Sequence, residues 1–144
     1  MSLEQDIRRL AQVELLGALE PEALGLLAFS SRKMRLRAGD RLYGAGESLD
    51  GALVILSGEI DLAAPGLPPR RVGPETTLGE LALFTPLEAP GEARAAADAM
   101  VMRVTRETMG RVLEEFPAAA PATRARVAGQ IARLASEARA LEPL

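Results

Sequence analysis

Gly79-Glu80-Leu81-Ala82-Leu83 is the stretch whose residue types and order could do chemistry. A glycine after an apolar residue lets the backbone turn sharply, and the Leu-Ala-Leu that follows can close one helical turn whose free N–H groups point at whatever lies in front. That is the geometry of an anion site, with Glu80 as a carboxylate at its edge. The same five residues also describe a buried helical turn carrying one exposed acid, so the motif alone does not decide between the two. Elsewhere the chemistry is thin. The sequence has no cysteine and no histidine, which removes thiol nucleophiles, disulfides, zinc thiolates, iron–sulfur clusters and the commonest general base and metal ligand. Glu114 and Glu115 are adjacent on a helix, do not face each other, and read as ordinary solvent contacts.

The elements that must position this stretch follow from the 144 residues, enough for one domain with a core of its own. The composition, 48% hydrophobic and 26% charged, is that of a soluble globular chain, and with 3% aromatics the core must come from Leu, Val, Ile, Ala and Met. A net charge of −3 argues against gripping nucleic acid. No apolar run approaches a membrane span and no signal peptide is visible, so a cytoplasmic location is expected.

Ser2-Leu3-Glu4-Gln5 reads as a capping box opening an amphipathic helix with Leu3, Ile7 and Leu10 on one face. A second helix starts near Glu20-Pro21 and buries Leu24, Leu27 and Ala28. Arg32, Lys33, Arg35, Arg37 and Arg41 alternate with Met34, Leu36 and Leu42, which puts the charges on the outward face of strands. From Met34 to Val104 short apolar segments alternate with Gly or Pro turns, as in an antiparallel barrel or jelly roll. Ala52 to Leu56 is the buried strand, Gly58 turns the chain, Ile60 and Leu62 point inward, and residues 63–69 form a surface loop. Thr105 caps a helix from Arg106 to Phe116 that Pro117 ends. A last helix, about 122–141, carries Val127, Ile131, Leu134, Ala138 and Leu141 at alternating four and three spacing, a heptad seam able to pair with a twofold mate or to pack on its own barrel. The expectation is a single domain over 1–144, mainly β with flanking α: N-terminal helices over about 3–29, a barrel over about 33–105 and a C-terminal helix pair over about 106–141.

The spaced glycines give this pattern a likeness. Arg37-Ala38-Gly39-Asp40, Gly46 through Leu56-Ser57-Gly58 with Asp50 between, Gly73-Pro74, the Gly79 to Leu83 stretch and Thr105-Arg106 together resemble the cyclic nucleotide-binding domain. This is the module of catabolite-activator transcription factors and of the regulatory subunits of cAMP-dependent protein kinase, and the resemblance covers about residues 10 to 141. It implies a double-stranded β-helix, a phosphate-binding cassette opening at Gly79, Glu80, Leu81 and Ala82, a ribose hydroxyl met by Glu80, and dimerisation through the last helix. After the Gly-Glu-Leu-Ala-Leu turn and five further residues the family places an arginine and a small residue, where this chain has Ala89-Pro90. Arg94 matches a later, strand-borne arginine of the pattern, and only an insertion balanced by a deletion would bring it to the cassette.

A cyclic phosphate carries one negative charge, and moving it out of water needs charge-assisted donors. Losing one such bond costs several kcal/mol, or several hundredfold or more in affinity. The sequence therefore describes a non-enzymatic regulatory or sensor module, with a degenerate cassette and weak or absent cAMP and cGMP binding, signalling through its last helix. No resident cofactor is expected beyond a weak cyclic nucleotide. The alternatives are a functional cyclic nucleotide-binding protein that uses Arg94 or another basic residue for the phosphate, and a scaffold that dimerises or binds a partner protein without any small ligand. An ion pair between Arg94 and Glu80 would favour the scaffold. Transcription factors of the family continue into a helix-turn-helix where this sequence ends at Leu144, so no direct nucleic acid binding is expected.

Overall fold

In the computed structural model, which describes residues 2–140, the first helix, α1 (Leu3–Ala11), starts where its cap dictates. Ser2 Oγ accepts from the Gln5 N–H at 3.2 Å and Gln5 Oε1 accepts from the Ser2 N–H at 2.9 Å. Leu10 is buried as its spacing predicts, but Leu3 is half exposed. Asp6 is buried in its place and meets Lys33 Nζ at 2.7 Å. Lys33 keeps its place on the exposed row of β1 and turns its ammonium to Asp6, since a buried carboxylate demands a cation. α2 (Pro21–Phe29) has proline at its first position and buries Leu24, Leu27 and Ala28.

Ten strands follow: β1 (Arg32–Leu36), β2 (Arg41–Tyr43), β3 (Ser48–Leu49), β4 (Gly51–Ser57), β5 (Ile60–Ala63), β6 (Arg70–Val72), β7 (Thr77–Leu78), β8 (Leu87–Glu88), β9 (Glu92–Ala95) and β10 (Ala99–Thr105). One sheet has the order β1-β10-β4-β7, a second β2-β9-β5-β6, and β3 pairs with β8; every pairing is antiparallel. This is the expected mainly-β roll. At the turn from β4 to β5, Gly58 has φ 82°, and a Cβ there would lie 2.4 Å from the Asp98 carbonyl oxygen, so any side chain would strain the hairpin.

The central strands are apolar on both faces because each face meets a different interior. Ala52, Val54, Leu56, Met102 and Val104 pack toward the helices with Leu10, Leu16, Leu27, Met109 and Val112. Leu53, Ile55, Ala99 and Val101 face the inside of the roll with Tyr43, Ile60 and Val72. Arg9 crosses from α1 to the sheet, donating to the Ile55 carbonyl at 3.4 Å and to the Thr76 carbonyl at 3.0 Å.

α3 (Arg106–Glu115) is capped by Thr105, whose Oγ1 accepts from the Thr108 N–H at 3.1 Å. Pro117 opens a 3-10 turn (Pro117–Ala119) that feeds α4 (Ala120–Ala140), which begins two residues before the expected start because that turn stacks directly into it. The last seam residue, Leu141, lies outside the described residues. Among the described residues no helix is long and apolar enough to cross a membrane.

Candidate functional site

β7 pairs with β4, Leu78 opposite Leu53, and delivers the chain to Gly79. Gly79 adopts φ 66° and ψ 35°, the left-handed region that glycine enters without penalty, and a Cβ there would stand 3.0 Å from Leu49 Cδ1. The reversal starts a tight 3-10 turn over Glu80–Leu83, closed by the Ala82 N–H donating to the Gly79 carbonyl at 2.9 Å. Ala82 faces the roll and Leu83 the helices, both fully enclosed.

Arg106 fixes this turn. Its Nε donates to the Ala82 carbonyl at 3.0 Å, its Nη2 to the Leu49 carbonyl at 2.9 Å, and its own backbone N–H to the Asp50 carbonyl at 2.7 Å. The sequence marks Arg106 only as the start of a helix; a guanidinium spent on backbone carbonyls leaves no signal in spacing.

Glu80 turns away from the roll. Its Oε1 accepts from the buried Leu15 N–H at 2.9 Å and its Oε2 from Gln130 Nε2 at 3.1 Å, so the carboxylate joins the 3-10 turn Glu14–Leu16 to α4. In this arrangement it does not face a ligand in the roll, as the resemblance implies for it. Arg94 is also directed elsewhere. On β9 the buried Ala93 and Ala95 point inward, so Arg94 stands on the outer face, where it pairs with Glu92 Oε1 at 2.5 Å and donates to the Gly39 carbonyl at 3.2 Å. The pocket ion pair between Arg94 and Glu80 is therefore not formed, and the Arg94 guanidinium points away from the roll.

Ala89 is buried inside the roll, with its N–H donating to the Glu47 carbonyl and its carbonyl accepting from the Gly46 N–H, both at 2.8 Å. Its neighbour Pro90 has no N–H to offer an anion and borders a shallow apolar cleft with Leu62, Leu67 and Tyr43. Burial pushes the Tyr43 phenol pKa up. A guanidinium does reach the roll-facing side of β10: Arg103, beside a cleft of about 130 Å³ lined by Tyr43, Glu47 and Leu49. It is neutralised by Asp50, with Nε to Oδ1 at 3.1 Å and Nη2 to Oδ2 at 2.5 Å.

The larger cleft, about 430 Å³, lies between α3, α4 and Phe84 just past the turn, lined by Leu113, Thr123, Val127 and Ile131. The seam residues share one side of α4. Val127 is half-buried, Ala138 is exposed, and Ile131 and Leu134 are 49% and 48% exposed. The neighbouring stripe is polar and faces the domain: Arg126 Nη1 donates to the Glu14 carbonyl at 2.9 Å, Gln130 meets Glu80, and Arg133 pairs with the Glu14 carboxylate.

A family model described as "Cyclic nucleotide-binding domain" matches residues 33–116. Among solved structures, a cyclic nucleotide-binding-like protein from Brucella abortus is 38% identical over 76% of this chain and 97% of its own, with a TM-score of 0.70. The N-terminal domain of a transcriptional regulator from Streptomyces coelicolor is 25% identical, covering 90% of this chain and 94% of its own, with a TM-score of 0.78. The regulatory domain of Toxoplasma gondii PKA, crystallised with cAMP, shares the fold at 20% identity and a TM-score of 0.67, over 94% of this chain and 50% of its own. No curated protein matches the chain.

Proposed function

The chain belongs to the cyclic nucleotide-binding domain family, and we propose that within it this domain is a regulatory module whose phosphate site is disabled. Its cAMP and cGMP binding is weak or absent, and its output runs through α4. The observation that carries this reading is Ala89: a buried methyl occupies the position where the family's pattern has an arginine. Support comes from the two groups that could compensate, since Arg94 is bound on the outer face and Arg103 is neutralised by Asp50. An anionic ring entering the roll would shed hydration without a cation to replace it.

The test is a thermal-shift and calorimetric titration with cAMP and cGMP. The natural chain is expected to show no saturable stabilisation up to about millimolar nucleotide, and Ala89→Arg to gain affinity by roughly a hundredfold or more, the value of one charge-assisted bond to a buried charge. Micromolar binding by the natural chain would overturn the reading.

The module is proposed to work as a homodimer through α4, the scaffold role being part of the same assembly. Supporting this, Ile131 and Leu134 leave an apolar stripe half exposed beside Val127 and Ala138, and such a stripe gains by covering itself with its twofold mate. Sedimentation is expected to give a dimer that Ile131→Glu with Leu134→Glu converts to monomer; a monomeric natural chain at high micromolar concentration would refute it.

A further inference from the structure

We propose that Glu80 is a latch: one carboxylate, shared between the Leu15 N–H and the Gln130 amide, that holds α4 against the domain and ties its docking to the state of the cassette turn. This deepens the reading of α4 as the output element and rests on it.

The observations converge on one small area. α4 faces the domain there with a polar stripe, residues 126, 130 and 133, spaced to fall on one side of a helix. All three end on the 3-10 turn Glu14–Leu16 or on Glu80: Arg126 on the Glu14 carbonyl, Arg133 on the Glu14 carboxylate, Gln130 on Glu80. Glu80 then returns the connection to that same turn by accepting the N–H of Leu15, whose side chain is fully buried. The Arg126 guanidinium lies against Gly17, where a Cβ would stand 2.8 Å from its Nη1.

Two features make this a latch and not a permanent joint. The clasp is polar, and hydrogen bonds and exposed ion pairs exchange readily with water, unlike an apolar interface. Glu80 is also the clasp member that belongs to the cassette turn, next to Ala82, which lines the roll. One carboxylate cannot serve Leu15 and Gln130 while also turning into the roll. A roll occupant with a donor for that carboxylate therefore competes with α4, and by linkage each weakens the other by the same factor.

Hydrogen exchange on the full chain, with nothing added, tests this. Glu80→Ala is expected to speed exchange of amides across 120–138 and at Leu15 by about tenfold or more, with β4 and β10 amides unchanged. Glu80→Gln is expected to keep protection, since its amide can accept from the Leu15 N–H and donate to Gln130 Oε1, a buried oxygen without a partner among the described residues. Gln130→Ala should loosen α4, and adding it to Glu80→Ala should bring no further loss. Should Glu80→Ala fold poorly, Gln130→Ala and Glu80→Gln alone give the same contrast. Unchanged α4 exchange in Glu80→Ala or Gln130→Ala, or loosening spread equally into β4 and β10, would overturn the latch. Repeating the series with Ile131→Glu and Leu134→Glu separates latch from dimer, and with no nucleotide present the result is independent of the binding titration.

Discussion

Strands β4 and β10 divide the molecule into two interiors that differ in the size of what fills them. On the helix side large side chains interlock: Leu10, Leu16, Leu24, Leu27, Met102 and Met109. On the roll side much of the lining is methyl groups, from Ala82, Ala89, Ala93, Ala95 and Ala99. The first interior has the chemistry of a core, where each large side chain contributes through burial and close contact. The second is lined by small side chains, each of which removes less apolar surface from water than a leucine would.

The largest expected effect tests the first half of that contrast. Leu27→Ala, at a fully buried site, should cost about 2–5 kcal/mol in a urea midpoint measured at constant m-value. A loss under about 1 kcal/mol would mean that the helix side is loosely filled. Next comes Ala82→Leu at a fully buried site, which places three added carbons inside the roll and should cost about 1–3 kcal/mol by overpacking; a neutral result would reveal spare volume on that side of the strands. The smallest effect concerns Tyr43, whose raised phenol pKa lets the folded state hold its proton more tightly than the unfolded chain. The stabilisation is therefore complete below the ordinary value near 10 and is lost as pH rises through the folded value. Tyr43→Phe should flatten that alkaline limb, and an unchanged limb would assign it to other groups.

The frame of the molecule was readable because its signals are local. Ser2 with Gln5, Pro21 at a helix start, Gly58 between two apolar runs and Thr105 before a helix each act within a few residues, and each stands where its chemistry requires. What escaped is carried by side chains that reach across the fold. Glu80 finds its partners 65 residues earlier and 50 residues later, and nothing in its neighbourhood announces either. Asp6 hides in an otherwise amphipathic helix because Lys33 neutralises it, a pairing that apolar periodicity cannot register. Arg94 was ambiguous for another reason: its flanking residues Ala93 and Ala95 are too small to mark an inward face. The apolar row of Val127, Ile131 and Leu134 on α4 follows from spacing, whereas the adjacent polar stripe that contacts the domain does not.

The three ties of Arg106 have a mechanical consequence. A tripod cannot rock without lifting a foot, so the hairpin tip at Leu49 and Asp50, the cassette turn and the first residue of α3 shift as one solid piece. A displacement of the turn therefore pulls on the first residue of α3 as well as on the hairpin tip, while Glu80, on the other side of the turn, pulls on α4.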